Sequence, residues 1–468
     1  MRSFGAVYGG ATHRGDYLIE VANPAETAPA GAVDGVGVAE ALEAIAAAKA
    51  AFPVWAATPD TERQQLIARC ADIIEAHAEE LAQLLTAEQG KPLAGTGSRY
   101  ELGAAIAWTR HTASLPMPVE TIQADEQANI AIHRVPLGVV GAITPWNWPI
   151  MIAIWQIMPA MRAGNTVVLK PSPFTPLSTL RLAELLQQVL PAGVLNVVVG
   201  DEAIGPLLSS HADIAKVSFT GSCATGRKVM EGAAPTLKRL TLELGGNDAG
   251  IVLPDCDPEA IAEGVFWGAF INNGQTCAAL KRLYVHDDIY DAMCDALVAY
   301  AGKVVVGNGR SENSQLGPVQ NRAQYVKVAS LVEDARAAGA RILCGGVEPD
   351  GEGNFYPITL VADAVDGMAI VDQEQFGPAL PIIRYSDIDD VIRRANSAEV
   401  GLGGSVWSKD VAKATALAMR LESGTAWVNK HGSLRPDVPF GGVKASGFGV
   451  EFGSHGLDEF VSLHVIHN

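Results

Sequence analysis

The chain has 468 residues, 48% of them hydrophobic and 18% charged, which supplies more than one buried core and excludes a disordered chain. Lys plus Arg number 34 against 52 Asp plus Glu, a formal net charge of −18. Such a surface repels nucleic acid and anionic membranes, so a phosphate-bearing ligand has to be held locally by backbone N–H groups and a few placed side chains.

The first hundred residues read as helical, with Ala, Leu and Ile at helical spacing over Glu40 to Ala51 and Thr61 to Glu88, and Asp60 placed as an N-cap. Gly90, Pro92 and Gly95 stop the pattern. Val119 to Pro136 alternates like a hairpin. From Gly138 short β-rich runs (Val139 to Ile143, Thr166 to Leu169, Val194 to Val199, Ala215 to Phe219, Leu240 to Leu242) alternate with helical ones (Ser178 to Leu190, Ala224 to Gly232). That repetition predicts an α/β fold with a parallel sheet. A second α/β run follows Gly250, with helices near Pro258 to Phe270, Asp288 to Gly302 and Arg322 to Ala338, and strands near Arg282 to Val285 and Leu380 to Arg384. The last segment, Glu459 to Asn468, is short and β-prone, and exposed strands of this kind invite pairing with another chain.

The apolar stretch Pro149 to Ala163 is too short, and too interrupted by Gln156, Pro159 and Arg162, to span a bilayer. Six cysteines without a CxxC pair fit neither a zinc ribbon nor a disulfide framework and predict a cytoplasmic protein without a structural metal. No GxGxxG fingerprint, Walker A loop, HExxH or GxSxG elbow is present. What remains is the turn Gly221-Ser222 between a strand and a helix start, which offers N–H groups and a hydroxyl to a pyrophosphate. Cys277, after Asn272-Asn273-Gly274-Gln275-Thr276, and Glu243, in Leu242-Glu243-Leu244-Gly245-Gly246-Asn247, read as a nucleophile and its base. A single Cys is more often a packed hydrophobe, so the pairing draws its weight from the motifs around it.

Those motifs are Thr144-Pro145-Trp146-Asn147-Trp148-Pro149, Gly164-Asn165-Thr166-Val167-Val168-Leu169-Lys170-Pro171-Ser172, Phe219-Thr220-Gly221-Ser222, the Glu243 and Cys277 segments, Glu374-Gln375-Phe376-Gly377-Pro378, and Pro439-Phe440-Gly441-Gly442-Val443-Lys444-Ala445-Ser446-Gly447. Together and in this order they resemble the aldehyde dehydrogenase superfamily across nearly the whole chain. The resemblance implies a variant Rossmann cofactor domain over 1–117 and 138–244, an α/β catalytic domain over 245–447, and a small β oligomerisation element from 118–137 and 448–468, assembling a homodimer or homotetramer. It implies oxidation of a small-molecule aldehyde to a carboxylic acid with NAD(P), through a cysteine thiohemiacetal and thioester.

Carried over residue by residue, the resemblance makes Cys277 the nucleophile, Glu243 the base and Asn147 the side-chain half of an oxyanion hole. It puts Lys170, Ser172, Trp146, Gly221, Ser222, Gly245, Glu374 and Phe376 on the cofactor, and Trp148, Trp155, Thr276, Ala278, Leu434 and Phe440 along the substrate path. The bulky apolar groups suit an unbranched or aromatic aldehyde. Arg110, His111, Lys430, His431 and Arg435 are candidates for a carboxylate clamp on a semialdehyde. Where many NAD-preferring relatives carry a ribose-binding glutamate this chain has Pro173, which neither accepts those hydrogen bonds nor repels a 2′-phosphate. The lean is towards NAD, with NADP open. Two rival readings are a CoA-acylating semialdehyde dehydrogenase, which commonly lacks the glutamate base, and a catalytically silent structural or binding homologue.

Overall fold

The computed structural model describes residues 3–468; Met1 and Arg2, at the head of the expected 1–117 segment, lie outside the described residues. Two large sheets organise the chain. The first has eight strands in the order 447–448, 239–243, 214–220, 139–143, 166–170, 195–197, 6–8 and 11–13. Its five central members run parallel, as the βαβ repetition predicts. Val140, Ala142, Val167, Val168 and Leu169 are buried, consistent with helices covering both faces. The chain starts this parallel set at Val139–Ile143, adds Thr166–Lys170 and Leu195–Val197 on one side, then crosses to add Ile214–Thr220 and Arg239–Glu243 on the other. The reversal opens a crevice at the carboxyl ends of strands 139–143 and 214–220, where open α/β sheets bind ligands.

Leu244-Gly245-Gly246-Asn247 leads from the first sheet into the second. That sheet has seven strands in the order 341–344, 359–362, 379–385, 280–286, 248–252, 403–407 and 425–428, parallel except at 341–344. The late strand Gly447–Phe448 pairs back onto Arg239–Glu243, so the chain after the second sheet returns to close over Glu243.

Several local expectations differ from the structure. Thr61 to Glu88 is two helices, Asp60–Ala76 and Ala78–Gln89, separated at His77 (φ −113°, ψ 13°), because one residue leaving helical geometry breaks the hydrogen-bond ladder while the apolar spacing continues. Asp60 does not cap the first of them; Pro59 holds that position, and the Asp60 carboxylate takes the buried Arg162 guanidinium at 2.5 Å. The hairpin strands Glu120–Ala124 and Asn129–Pro136 and the C-terminal strand Val461–His467 form one antiparallel sheet within the chain, with Val461–His467 laid along Asn129–Pro136. Among the described residues no helix is long and apolar enough to cross a membrane.

Candidate active site

Two cavities meet at Cys277. One, of about 190 Å³, lies at the crevice of the first sheet and is lined by Pro145, Trp146 and Asn147 after strand 139–143, Thr220 at the end of strand 214–220 with Gly221 and Ser222 after it, Leu244 and Gly245 after strand 239–243, and Gln324, Lys327, Glu374 and Phe376 from the second half. The other, of about 290 Å³, is a tunnel lined by Trp108, Trp148, Met151, Ile152, Trp155, Trp267, Thr276, Ala278, Lys430 and Leu434 among others. Cys277 lines both.

The loop before Cys277 owes its shape to Asn272, Asn273 and Gly274, all with positive φ (50°, 58° and 73°). Asn tolerates the left-handed region, and at 274 only glycine fits, since a Cβ would stand 2.2 Å from the Gly377 carbonyl oxygen. The turn brings Asn272 Nδ2 to the Asn147 carbonyl oxygen (2.8 Å) and the Gln275 carbonyl to Asn147 Nδ2 (3.0 Å), while Trp148 Nε1 donates to Thr276 Oγ1 (3.0 Å). Asn147 is buried, and its Oδ1 has no hydrogen-bond partner.

Burial pushes the Cys277 thiol up to about 12; the nearby Lys281 opposes this and the carboxylates of Glu243, Glu374 and Asp248 add to it. Lys281 is buried, donates to the Cys277 carbonyl oxygen and pairs with Glu374 at 2.9 Å. Glu374 Oε1 also accepts from the Gly246 N–H at 3.2 Å. Glu243 ends strand 239–243, is buried, and neither of its carboxylate oxygens has a hydrogen-bond partner. Burial first, then the charges of Glu451 and Glu459, hold its carboxyl well above the usual range. It lines neither cavity; a Cβ on Gly441 would touch its Oε1 at 3.2 Å. Burial also pushes Glu451 up to about 8, against the pull of Lys216. Two buried carboxyls that disfavour each other's ionisation therefore sit where the chain closes back over Glu243.

The first cavity has features suited to a phosphate-bearing ligand. Ser222 caps the helix Cys223–Ala233, accepting from the Thr225 N–H at 3.2 Å, so a helix N-terminus points its free donors there. Gly245 leaves room, since a Cβ would stand 2.5 Å from Glu374 Oε2. Trp146 meets the Phe376 ring edge-to-face at 5.4 Å. Lys170 and Ser172 are outside the lining, at and just after the end of the neighbouring strand Thr166–Lys170; burial lowers the Lys170 pKa and Glu202 opposes that.

Behind the tunnel wall, Phe452 packs edge-to-face on the lining residues Trp155 (4.7 Å) and Trp108 (5.4 Å). Phe440 is not among the lining side chains and stacks behind Phe452 at 6.0 Å. Of the candidate clamp, Arg110 is bound to Glu75 and Asp72 and Arg435 to Asp437, and neither they nor His111 line the tunnel. The His431 ring is buried, with Nδ1 on Ser405 Oγ at 2.9 Å and Nε2 3.5 Å from Asp248. Lys430 is the cation left on the wall.

Residues 11–466 match the model of the aldehyde dehydrogenase family. The chain belongs to this family. It is 39% identical to a phenylacetaldehyde dehydrogenase of Pseudomonas fluorescens over 96% of this chain and 92% of that one. An NADP-dependent enzyme of E. coli superposes with a TM-score of 0.97 at 35% identity, over 100% of this chain and 98% of that one. A betaine aldehyde dehydrogenase of Staphylococcus aureus, solved with NAD+, superposes with a TM-score of 0.95 at 32% identity, over 99% and 94%. The fold is the aldehyde dehydrogenase fold, and the chemistry is NAD(P)-dependent oxidation of an aldehyde to an acid.

The motifs pointed to Cys277, Asn147, Trp146, Gly221, Ser222, Gly245, Glu374 and Phe376, and these sit around the first cavity. Sequence reading missed Lys281, Lys327, Glu451, the tunnel residues Trp108 and Trp267, and Phe452 packed behind them. Lys281 and Glu451 each lie four positions after a motif, Lys281 after Cys277 and Glu451 after Gly447; Lys327, Trp108 and Trp267 are brought in on helices outside the motifs.

Proposed function

We propose that Cys277 attacks aldehydes with a flat, apolar body that enter by the tunnel, and that NAD is held in the opposite cavity. The observation that carries this reading is the place of Cys277, alone in facing a backbone-rich polar cavity on one side and an aromatic tunnel on the other. The Cys277 sulfur adds to the carbonyl carbon, and the oxygen, now an alkoxide, takes hydrogen bonds from Asn147 Nδ2 and the Cys277 backbone N–H. Asn147 Nδ2 is already held in this loop by the Gln275 carbonyl. Losing one such donor typically costs about 10²–10³ in rate. The dinucleotide, when bound, supplies the hydride acceptor that leaves the carbon as a thioester on Cys277. Gly221, Ser222, Glu374 and Phe376 hold and orient it, with Lys170 towards its adenosine end.

Glu243 then takes a proton from water as the water oxygen bonds to the acyl carbon, the C–S bond breaks, and the acid leaves with the thiol restored. Burial and the charges of Glu451 and Glu459 raise its pKa, which makes it a stronger base than an ordinary carboxylate. Glu243 is near enough to Cys277 for its charge to act on the thiol. The NAD preference draws on the charge beside Lys170, which is the carboxylate of Glu202 and would oppose a 2′-phosphate. Six free thiols support a cytoplasmic setting. The exposed Ile122, Leu463 and Val465 on the three-stranded sheet support a homodimer or homotetramer.

Initial rates with phenylacetaldehyde, benzaldehyde, short aliphatic and carboxylated aldehydes, each with NAD and NADP, test the reading, with the product assayed as free acid or acyl-CoA with CoA present. Aromatic aldehydes with NAD are expected to give the highest kcat/KM and free acid as product. Cys277→Ala is expected to abolish aldehyde-dependent cofactor reduction, and surviving turnover removes Cys277 from the mechanism.

A further inference from the structure

The loop bearing Asn147 is held from behind by a buried ion pair that the reaction as described does not use. The side chains of Lys91 and Glu101 are 1% and 0% exposed, with Nζ 2.5 Å from Oε2. Lys91 lies in the segment between helices Ala78–Gln89 and Ser98–Ser114. Gly90 turns the chain into that segment at φ +90°, where a Cβ would strike Pro24 and Pro318 at 2.7 Å. Lys91 Nζ also donates to the Asn147 carbonyl oxygen at 2.8 Å and lies 3.6 Å from the centre of the Trp148 ring. The second oxygen of Glu101 accepts from the N–H groups of Ile150 (2.9 Å) and Met151 (3.0 Å), the opening turn of helix Pro149–Arg162. One carboxylate therefore fixes the helix that starts just after Asn147, and the ammonium it holds fixes the carbonyl of Asn147 itself.

A buried ion pair is a weak source of net stability, because desolvation offsets much of the attraction. Burial accordingly lowers the Lys91 pKa to about 8, with Glu101 opposing. Geometry is a better account of it. A hydrogen-bond donor lowers a barrier only when it already points at the charge that develops, and a misplacement of about 1 Å costs roughly 10²-fold. Asn147 is in a loop, and its carbonyl oxygen accepts from both Lys91 Nζ and Asn272 Nδ2.

We propose that the Lys91–Glu101 pair is the positioning element of the oxyanion hole, setting the Asn147 peptide so that its side-chain amide faces the alkoxide. This rests on the reading of Asn147 as an oxyanion donor.

The test is a double-mutant cycle. Lys91→Met, and the neutral pair Lys91→Met with Glu101→Gln, which keeps an acceptor for the helix start, are each made in wild-type and Asn147→Ala backgrounds. Lys91→Arg retains the charge for a chain that does not tolerate its loss. In the wild-type background kcat is expected to fall about 30-fold, with KM for the cofactor within about two-fold. In the Asn147→Ala background the same changes are expected to cost less than about two-fold, because the group they position is gone. Equal losses in both backgrounds, or no loss in wild type, overturn the proposal while leaving Asn147 in its role; a loss by partial unfolding falls in the first class. An Asn147→Ala enzyme with wild-type kcat overturns the oxyanion reading and the proposal with it.

Discussion

The cavities on the two sides of Cys277 are built from different materials. The first is made largely of turns at strand ends, where Gly221, Ser222 and Gly245 present backbone and little side chain. The tunnel is walled by large side chains, among them Trp108, Trp155 and Trp267 on helices and Trp148 at a helix start. Backbone turns recognise a ligand that does not vary, and a glycine there tolerates no substitution without filling the site. Side-chain walls can be exchanged within a fixed frame, so the tunnel is where relatives of one fold separate by substrate. The contrast predicts that the chemistry and the cofactor respond to changes on one side, and substrate choice to changes on the other.

The largest effect short of losing Cys277 belongs to Glu243, which sits behind both cavities. Glu243→Gln is expected to lower steady-state turnover by about 10²-fold or more while leaving a rapid first turnover, read as a stoichiometric burst of reduced cofactor. The sign with pH follows from its environment. Burial and Glu451 raise the Glu243 pKa, so the group is protonated through the ordinary carboxylate range and acts as a base only as pH rises past its own value. Turnover limited by thioester hydrolysis should therefore climb with pH in the wild type, and the Glu243→Gln profile should lack that limb. A Glu243→Gln enzyme with neither burst nor turnover would place Glu243 in the first half-reaction instead.

The same division decides what sequence alone made legible. Some turns that carry chemistry are local: the positive φ at Gly274 before Cys277 and the Ser222 cap at a helix start are backbone needs met within a few residues, and so they persist as motifs. The parallel sheet was legible because buried strands read as short apolar runs. Contacts that join distant segments were not. Lys91 reaches Asn147 and Trp148, and Glu451 comes back to Glu243 through the return of Gly447–Phe448 to the first sheet. The break at His77 was hidden because apolar spacing carries across it, and the N-terminal strands Ser3–Phe4, Ala6–Tyr8 and Ala11–His13 are too short to show a period.

On the tunnel side, Leu434 is a partly buried wall residue, which makes it a better probe than the buried Trp148 and Trp155. Leu434→Trp puts an indole into a space of about 290 Å³. It should reduce kcat/KM for aromatic aldehydes about 10-fold, the scale of a steric misfit in an apolar pocket, with little change for short aliphatic aldehydes and none in the KM for NAD. Equal losses for small and large aldehydes would mean that the change reaches Cys277 and would break the assignment of substrate choice to this wall.

On the cofactor side the finest probe is Gly245→Ala. The added methyl would meet Glu374 Oε2 at 2.5 Å, and a carboxylate at the end of a flexible side chain can move aside, so the fold should survive. Glu374 is not a passive neighbour, however, since it is tied to the Gly246 N–H and to Lys281, and through Lys281 to the Cys277 carbonyl. Displacing it should raise the KM for NAD about three- to ten-fold, in keeping with the loss of one or two hydrogen bonds to a ligand, and leave the KM for the aldehyde unchanged. Alkylation of Cys277 by iodoacetamide in the absence of cofactor gives the second reading. If moving Glu374 drags Lys281 with it, the cation that favours the thiolate shifts too, and labelling at pH 8 should slow. A normal labelling rate beside a raised KM would confine the effect to cofactor binding, and the polar cavity and the nucleophile would then be adjacent without being coupled.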